Sequence, residues 1–261
     1  MVVGGKAAMD LGICMQGEMM ESRWVVGFLE EHARVMRSAF ILAGNLSDFK
    51  IDFICEMFAP LHAGDVQTER RMAQRFNLRP EDEPCLALQE AFSRLVQETS
   101  PEPPTEADLA EVAECLKKVE EARYDARGWA AATFTAAELS LLRTACELYA
   151  RLAIGQGWVV GGYLGCPAEM SEAVYAFDRR FREVFFPELR GDAYYGINSQ
   201  LVHDNARVAW DVLQVVRQHL AFTAQGKVVG QDKRDVRTMK GAEFDDPMQR
   251  SRLELITCSR I

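Results

Sequence analysis

Apolar residues recur at steps of three and four along most of this chain, and this spacing constrains the fold more than any other feature of the sequence. Residues 134–156 and 194–222 show it best. The first segment opens on Thr135-Ala-Ala-Glu138, a capping box in which two side chains satisfy the free amides of a helix start. Apolar residues at this period line one face of an amphipathic α-helix. The chain is therefore predicted to be mostly helical.

Caps and breakers divide the chain into successive helices. The predicted helices cover residues 22–42, 48–58 and 65–76, a segment opened by Pro84, segments capped by Thr105 and Thr135, and residues 167–187 and 205–222. Five glycines between residues 155 and 165 predict a flexible loop. Strand signals are scarce. We therefore predict an all-α multi-helix bundle, with at most a short β-hairpin near the C-terminus, around Lys227-Val-Val229.

The segment Ser100-Pro-Glu-Pro-Pro-Thr105 is the clearest break in the helical pattern. Three prolines in four residues cannot lie inside a helix, and they favour a stiff, extended connection. We expect two helical parts, an N-terminal module over residues 1–100 and a C-terminal domain over residues 105–261, joined by a linker at 101–104. A loop within a single domain is the alternative.

Acidic side chains are concentrated in one part of the chain. The formal net charge is −9, and residues 81–125 hold thirteen acidic and four basic side chains. This balance disfavours direct nucleic-acid binding, which needs a basic surface. A solvated helix face explains such a run. The alternative is an acidic docking face for a basic partner, with six candidate residues: Glu106, Asp108, Glu111, Glu114, Glu120 and Glu121.

The cysteines and the hydropathy pattern indicate a cytoplasmic protein, here expected in a bacterial host cell. The chain has seven cysteines, an odd number, and no Cys-x-x-Cys motif. They are predicted to be reduced core residues. No apolar run has the length of a membrane span, so no membrane association is expected.

Two short patterns are candidate sites. Asn198 and His203 are spaced like the polar-x4–6-His signature of HEPN-type helical ribonucleases, with His203 as a general base; arginine normally holds the first position, and His203 also suits an ordinary helix start. Trp158, Tyr194 and Tyr195 are aromatic residues of predicted loops, a type enriched at interfaces. No histidine spacing predicts a metal site. The sequence therefore predicts neither a metal nor a cofactor.

A polar seam follows one side of the last predicted helix. Its members, three or four residues apart, are Arg207, Asp211, Gln214 and Arg217. On a helix that is otherwise apolar nearly all round, such a seam is either a buried network or a strip that faces a partner. We expect the network.

Residues 134–256 resemble a family of uncharacterised proteins of phages and prophages. The resemblance is carried by Tyr149-Ala-Arg151, Gly155-Gln156, Tyr195-Gly-Ile197, Ala206-Arg-Val-Ala-Trp-Asp211, Gln214-Val-Val-Arg217 and Phe244-Asp-Asp-Pro247. It covers about half of the chain, and the glycine-rich 155–165 segment departs from the pattern. The resemblance implies a mobile-element origin and no activity.

Together these features predict a non-enzymatic protein, encoded by a phage or mobile element, that binds and inhibits a bacterial protein machine through an acidic helical surface. An anti-CRISPR-like action on a defence complex is the expected kind of function, with a host protein or protein complex as the partner. A helical ribonuclease or toxin that uses His203 is one alternative. A structural or assembly protein that self-associates is another. The oligomeric state is left open.

Overall fold

The computed structural model of the chain describes residues 23–51, 54, 83–166, 172–187, 189, 194–199, 202, 204–224 and 257–260. Within them lie three strands and seven helices. The strands are β1 (Arg23–Leu29), β2 (Trp129–Thr135) and β3 (Thr257–Arg260). The helices are α1 (Glu30–Ser47), α2 (Glu83–Thr99), α3 (Glu106–Glu120), α4 (Ala136–Leu152), α5 (Val159–Tyr163), α6 (Glu172–Phe185) and α7 (Asp204–Ala224).

The protein is mostly helical, as predicted, but it is not all-α. The three strands form one antiparallel sheet in the order β2-β1-β3, with Trp24 of β1 opposite Phe134 of β2 and Val26 opposite Cys258 of β3. The sheet is not a C-terminal hairpin, because its central strand lies near the start of the described chain. The candidate strand at Lys227-Val-Val229 lies outside the described residues.

Residues 23–29 were wrongly assigned to the first helix. Trp24 and Phe28 are four residues apart, which fits a helix, but Trp24, Val26 and Phe28 are also alternate residues of a strand. In the structure all three are buried on the same face of the sheet. Over only seven residues, the spacing of apolar residues does not distinguish a helix from a strand. The helix begins only at Glu30.

Several predicted helix starts are confirmed, whereas the first helix does not end at residue 42 but continues to Ser47. Thr105 caps α3 and Thr135 caps α4, each with a reciprocal bond to the side chain three residues later. Helix α2 begins at Glu83, next to Pro84, and α7 covers the predicted last helix. Residues 206 and 208–216 of α7 are buried, so this helix lies in the centre of the bundle, as its apolar sequence predicts.

One continuous core joins elements from both sides of the proline-rich segment. Strand β1 and helix α1 precede that segment, yet β1 pairs with β2, and α1 packs against α3, α4 and α7. Helix α2 packs against α6 in the same way, and Phe92 lies 5.9 Å from Phe177, centroid to centroid. The packing thus does not follow the boundary expected at residues 101–104.

The described cysteines are of two kinds. Cys115, Cys146 and Cys258 carry free thiols in the core, and burial raises the pKa of Cys115 and of Cys258 to about 12. These thiols stay protonated near neutral pH and pack as small apolar groups. Cys85 is disulfide-bonded, so the prediction of reduced cysteines is wrong at this position. Within the described ranges no helix has the length and apolar character needed to cross a membrane.

The glycine-rich segment is packed, contrary to the predicted flexible loop. Gly155 has a φ of +92°, a conformation that side chains disfavour, and a Cβ there would lie 2.7 Å from Leu189 Cδ1. A Cβ on Gly161 would lie 2.7 Å from Cγ2 of Val174, on α6. These glycines allow the turn after α4 and helix α5 to approach their neighbours closely.

The two adjacent glycines of α5 should therefore respond differently to alanine. We expect Gly161→Ala to lower the free energy of unfolding by about 2 kcal/mol, because the short branched side chain of Val174 cannot rotate clear of a new methyl group. Gly162→Ala meets no atom within 4 Å and should be neutral, or stabilising by up to about 1 kcal/mol. Urea denaturation of both variants measures the difference, and equal stabilities would contradict the packed arrangement.

Candidate functional site

Helix α3 carries most of the predicted binding residues, and its start is fixed by its own sequence. The Thr105 hydroxyl accepts a hydrogen bond from the Asp108 amide at 3.1 Å, and the Thr105 amide donates to Asp108 Oδ2 at 2.8 Å. Hydrogen bonds from the Thr105 side chain and backbone lower the pKa of Asp108. Asp108 therefore has a structural role as a capping residue, in addition to its predicted place on the surface.

The inner side of α3 packs tightly on α1. Val112, Cys115 and Val119 are buried there, and a Cβ on Gly44 of α1 would lie only 3.3 Å from Val112 Cγ1. This packing fixes which side of α3 meets solvent. The outward side chains are consequently held on a rigid helix rather than on a loop.

The outward side of α3 is acidic and its carboxylates are unpaired. Glu106, Glu114, Glu120 and Glu121 are exposed, and Glu111 is half-buried. We call these five residues the acidic surface. None of them forms an ion pair or side-chain hydrogen bond with another residue of the described ranges. The surface therefore presents uncompensated negative charge.

A partly buried ion pair anchors the C-terminal end of α3. Lys118 Nζ lies 2.5 Å from Glu138 Oε1 and 2.7 Å from Oε2, and the Thr135 amide donates to the same carboxylate at 2.8 Å. Burial alone would raise the pKa of Glu138, but the hydrogen bonds from Lys118 and Thr135 outweigh it and lower this pKa. One carboxylate thus caps α4 and ties α3 to it. Its capping role was predicted; its bond to Lys118, twenty residues away, was not.

The predicted aromatic residues gather around the turn that follows α4. The Trp158 amide donates to Asp178 Oδ1 at 2.9 Å, and the Tyr195 amide donates to the Ile154 carbonyl at 2.9 Å. Trp158 and Tyr194 are 38% and 55% exposed, whereas Tyr195 packs on Phe186 with centroids 6.1 Å apart. Two rings are thus available to solvent and one is largely structural.

The aromatic residues and the end of the acidic surface do not form a single site. Lys118, which lies just before Glu120 and Glu121 in the chain, contacts Glu138 in the first turn of α4. The aromatic residues follow the last turn of the same helix. That helix has 17 residues and is therefore about 25 Å long. A partner needs a correspondingly large interface to contact both.

The turn before α7 is held by a residue of the polar seam. Arg207 donates to the carbonyl of Ser199 at 2.6 Å and to that of Ile197 at 3.3 Å, and it pairs with Asp204. Further along the seam, Asp211 and Gln214 are buried. The middle of the seam therefore lies in the interior, and its first member shapes a surface turn. The expected network of its four members stays a prediction.

The catalytic alternative is not tested by this geometry. Asn198 is exposed in the turn that Arg207 holds, whereas His203 lies outside the described residues. The described His32 is buried, accepts a hydrogen bond from the Leu29 amide at 3.3 Å, and has its pKa lowered by burial despite the charge of Glu31. His32 thus belongs to the start of α1. The described ranges hold no group of three or more His, Cys, Asp or Glu that suits a metal ion.

Comparison with protein-family models, curated proteins and solved structures gave no match to this chain. The resemblance of residues 134–256 to phage proteins thus stays a prediction. The assignment of the acidic and aromatic residues to binding stays one as well.

The Glu138 carboxylate should contribute strongly to stability. We expect Glu138→Gln to lower the free energy of unfolding by about 2 kcal/mol at pH 7, because it leaves Lys118 without its counter-charge and weakens the α4 cap. The folded-state pKa of Glu138 lies below its ordinary value of 4.5. The contribution is therefore complete above pH 4.5 and is lost as the pH falls through the lowered folded-state pKa.

Denaturation curves between pH 3 and pH 7, compared with Glu147→Gln, measure this contribution. Glu147 forms a half-buried i,i+4 pair with Arg151 at 2.8 Å on the same helix, caps no helix, and should contribute less than about 0.5 kcal/mol. A Glu138→Gln protein as stable as Glu147→Gln at pH 7 would contradict the anchoring role.

Proposed function

We propose that this chain is a non-enzymatic binding protein of phage or mobile-element origin that inhibits a bacterial protein machine through its acidic surface. A defence complex of the CRISPR type is the candidate target. The observation that carries the proposal is the row of unpaired carboxylates on the outward side of a rigidly packed helix.

The electrostatics of α3 support a basic partner. Ion pairing within the protein would neutralise these side chains, but they have no basic neighbour that pairs with them among the described residues. From Glu106 to Glu120 the helix rises about 21 Å. A row of anionic groups of this length can attract a basic groove and speed its association. Such grooves commonly hold the phosphate backbone of a nucleic acid, so occupation by α3 would compete with that ligand.

The rigidity of α3 supports binding rather than simple solvation. The cap at Thr105, the buried side of the helix and the Lys118–Glu138 pair fix the helix at its start, middle and end. A surface that is ordered before it binds loses less conformational entropy on association. Negative charge that only keeps a protein soluble does not have to be held on a rigid helix.

Charge reversal on α3 tests the proposal. Glu114→Lys/Glu121→Lys should reduce the host protein retained on the immobilised chain by about tenfold or more, because it replaces attraction to a basic groove by repulsion. The matched control is Glu172→Lys/Glu183→Lys, two exposed glutamates of α6, which should leave retention unchanged. Retained protein is identified and quantified by mass spectrometry of the eluates at low and high salt.

The proposal fails if the unmodified chain retains no host protein, or if the α3 and α6 variants retain the same protein to the same extent. Retention that does not weaken at high salt would also contradict an electrostatic interface, because exposed charges more than about 10 Å apart are largely screened at 0.1 M salt.

A further inference from the structure

Strand β2 has an open edge. Among the strands that the structure describes, it is an outer one, paired with β1 on one side only. An edge strand presents backbone groups that can pair with another strand. The usual protections against such pairing are proline, inward-pointing charges or a bulge. The sequence of β2, Trp-Ala-Ala-Ala-Thr-Phe-Thr, contains neither proline nor a charged residue.

The neighbouring hydrogen bonds define which backbone groups point outward. The Trp129 amide donates to Asp125 Oδ1 and its carbonyl accepts from the Asp125 amide, so both groups of Trp129 point away from β1. The Thr135 amide points outward as well, to Glu138. In an antiparallel ladder alternate residues share one direction. Ala131 and Thr133 therefore direct their amides and carbonyls to the open side.

These four groups have no partner within the chain as described. Ala131 and Thr133 form no backbone hydrogen bond outside the β1–β2 ladder among the described residues. In the neighbouring residues along the edge, the amide of Trp129 is hydrogen-bonded to Asp125 and the amide of Thr135 to Glu138. The edge thus offers two donors and two acceptors over a short, bounded stretch, which suits one short extended segment.

A groove runs beside this edge, with a volume of about 610 Å³. Residues 131–135 form one wall, and the end of α3 with the chain that follows it forms the other. Ala131 and Thr133 are exposed, and their small side chains let another backbone approach closely. The groove therefore leaves room for a segment of about four residues in contact with the edge, at roughly 3.3 Å of strand per residue.

The groove is cationic in a protein whose net charge is −9. Arg23, Lys118 and Arg123 line it, together with Glu121. The charge of Lys118 is compensated by its pair with Glu138. Arg123 is exposed and forms no ion pair with any described residue. A second copy of the chain, paired edge to edge, would bring its own Arg123 close to this one, and the two like charges would repel each other. An acidic segment of a different protein would instead be attracted.

We propose that the open edge of β2 is a docking site for an extended, acidic segment of a partner protein, which adds to the sheet as a fourth strand. Hydrogen bonds to Ala131 and Thr133 supply the pairing, and a carboxylate of the segment meets Arg123. This is the mode of strand addition, in which main-chain bonds hold the peptide and flanking side chains select it. The inference does not depend on the proposed function, because its hydrogen bonds come from β2 and its charge contact from Arg123. The two surfaces share only Glu121.

The test is a titration of the ¹⁵N-labelled full chain with an acetylated and amidated heptapeptide of alternating glutamate and valine. The amide signals of Ala131 and Thr133 should shift, and their hydrogen exchange should slow by about tenfold or more. The same peptide with lysine in place of glutamate should bind about tenfold more weakly. Arg123→Glu should weaken binding of the acidic peptide to a similar extent. The control Arg179→Glu, at an exposed arginine of α6, should leave this binding unchanged.

A pair of substitutions at one position separates backbone pairing from charge. Thr133→Pro removes an outward amide that the ladder with β1 does not use, a place where edge strands tolerate proline, and it should abolish binding of the acidic peptide. Thr133→Val keeps the amide and should bind as the unmodified chain does. Circular dichroism and thermal unfolding establish that both variants are folded.

Three results would overturn the inference. The first is an acidic peptide that leaves Ala131 and Thr133 unchanged at millimolar concentration. The second is equal binding of the glutamate and lysine peptides, or of the two Thr133 variants. The third is sedimentation that shows a dimer with both amides protected in the absence of peptide, which would make a second copy the occupant of the edge.

Discussion

The carboxylate of Glu138 joins the three elements on which both proposed surfaces are built. It accepts hydrogen bonds from Lys118 of α3 and from the Thr135 amide at the junction of β2 and α4. The position of α3 relative to the sheet, and the point at which the open edge ends, therefore depend on one side chain. This junction is costly to disturb, because removing one member of a partly buried pair leaves the other charge without compensation.

Around this junction the protein separates its charges over a short distance. The outward side of α3 is anionic, whereas the groove between the end of α3 and β2 carries the exposed Arg123, which is not paired with any described residue. A partner with a basic groove and a nearby acidic segment would match both surfaces, and a partner docked in reverse would match neither. Complementarity of this kind contributes to orientation and specificity more than to affinity.

The helices were largely predictable, since their starts are encoded locally. The capping boxes at Thr105 and Thr135 and the apolar stripe of α7 each lie within one segment. The sheet was not predictable in the same way. In β2, three consecutive alanines favour a helix, and only pairing with β1, about a hundred residues earlier, makes this segment a strand. The packing of the 155–161 glycines depends likewise on contacts with distant residues such as Val174 and Leu189.

For the candidate site, the sequence identified the acidic residues but not what surrounds them. Spacing alone places Glu114 and Glu121 on an exposed face. It does not show that Asp108 is engaged in the cap, that Lys118 reaches Glu138, or that Arg123 and Arg23 line the same groove. The Lys118 contact and the shared groove depend on contacts between residues that are distant in the chain. The role of Asp108 depends on whether its carboxylate is exposed or hydrogen-bonded.

The central claim is that a partner protein docks on the α3 side of the molecule. Hydrogen–deuterium exchange of the chain, free and in complex with a protein captured from its host, tests it most directly. The account predicts that protection on binding is concentrated at residues 106–121, with further protection at Ala131 and Thr133 where the partner adds a strand. Protection confined to the turn around Trp158 and Tyr194, with residues 106–121 unchanged, would contradict it.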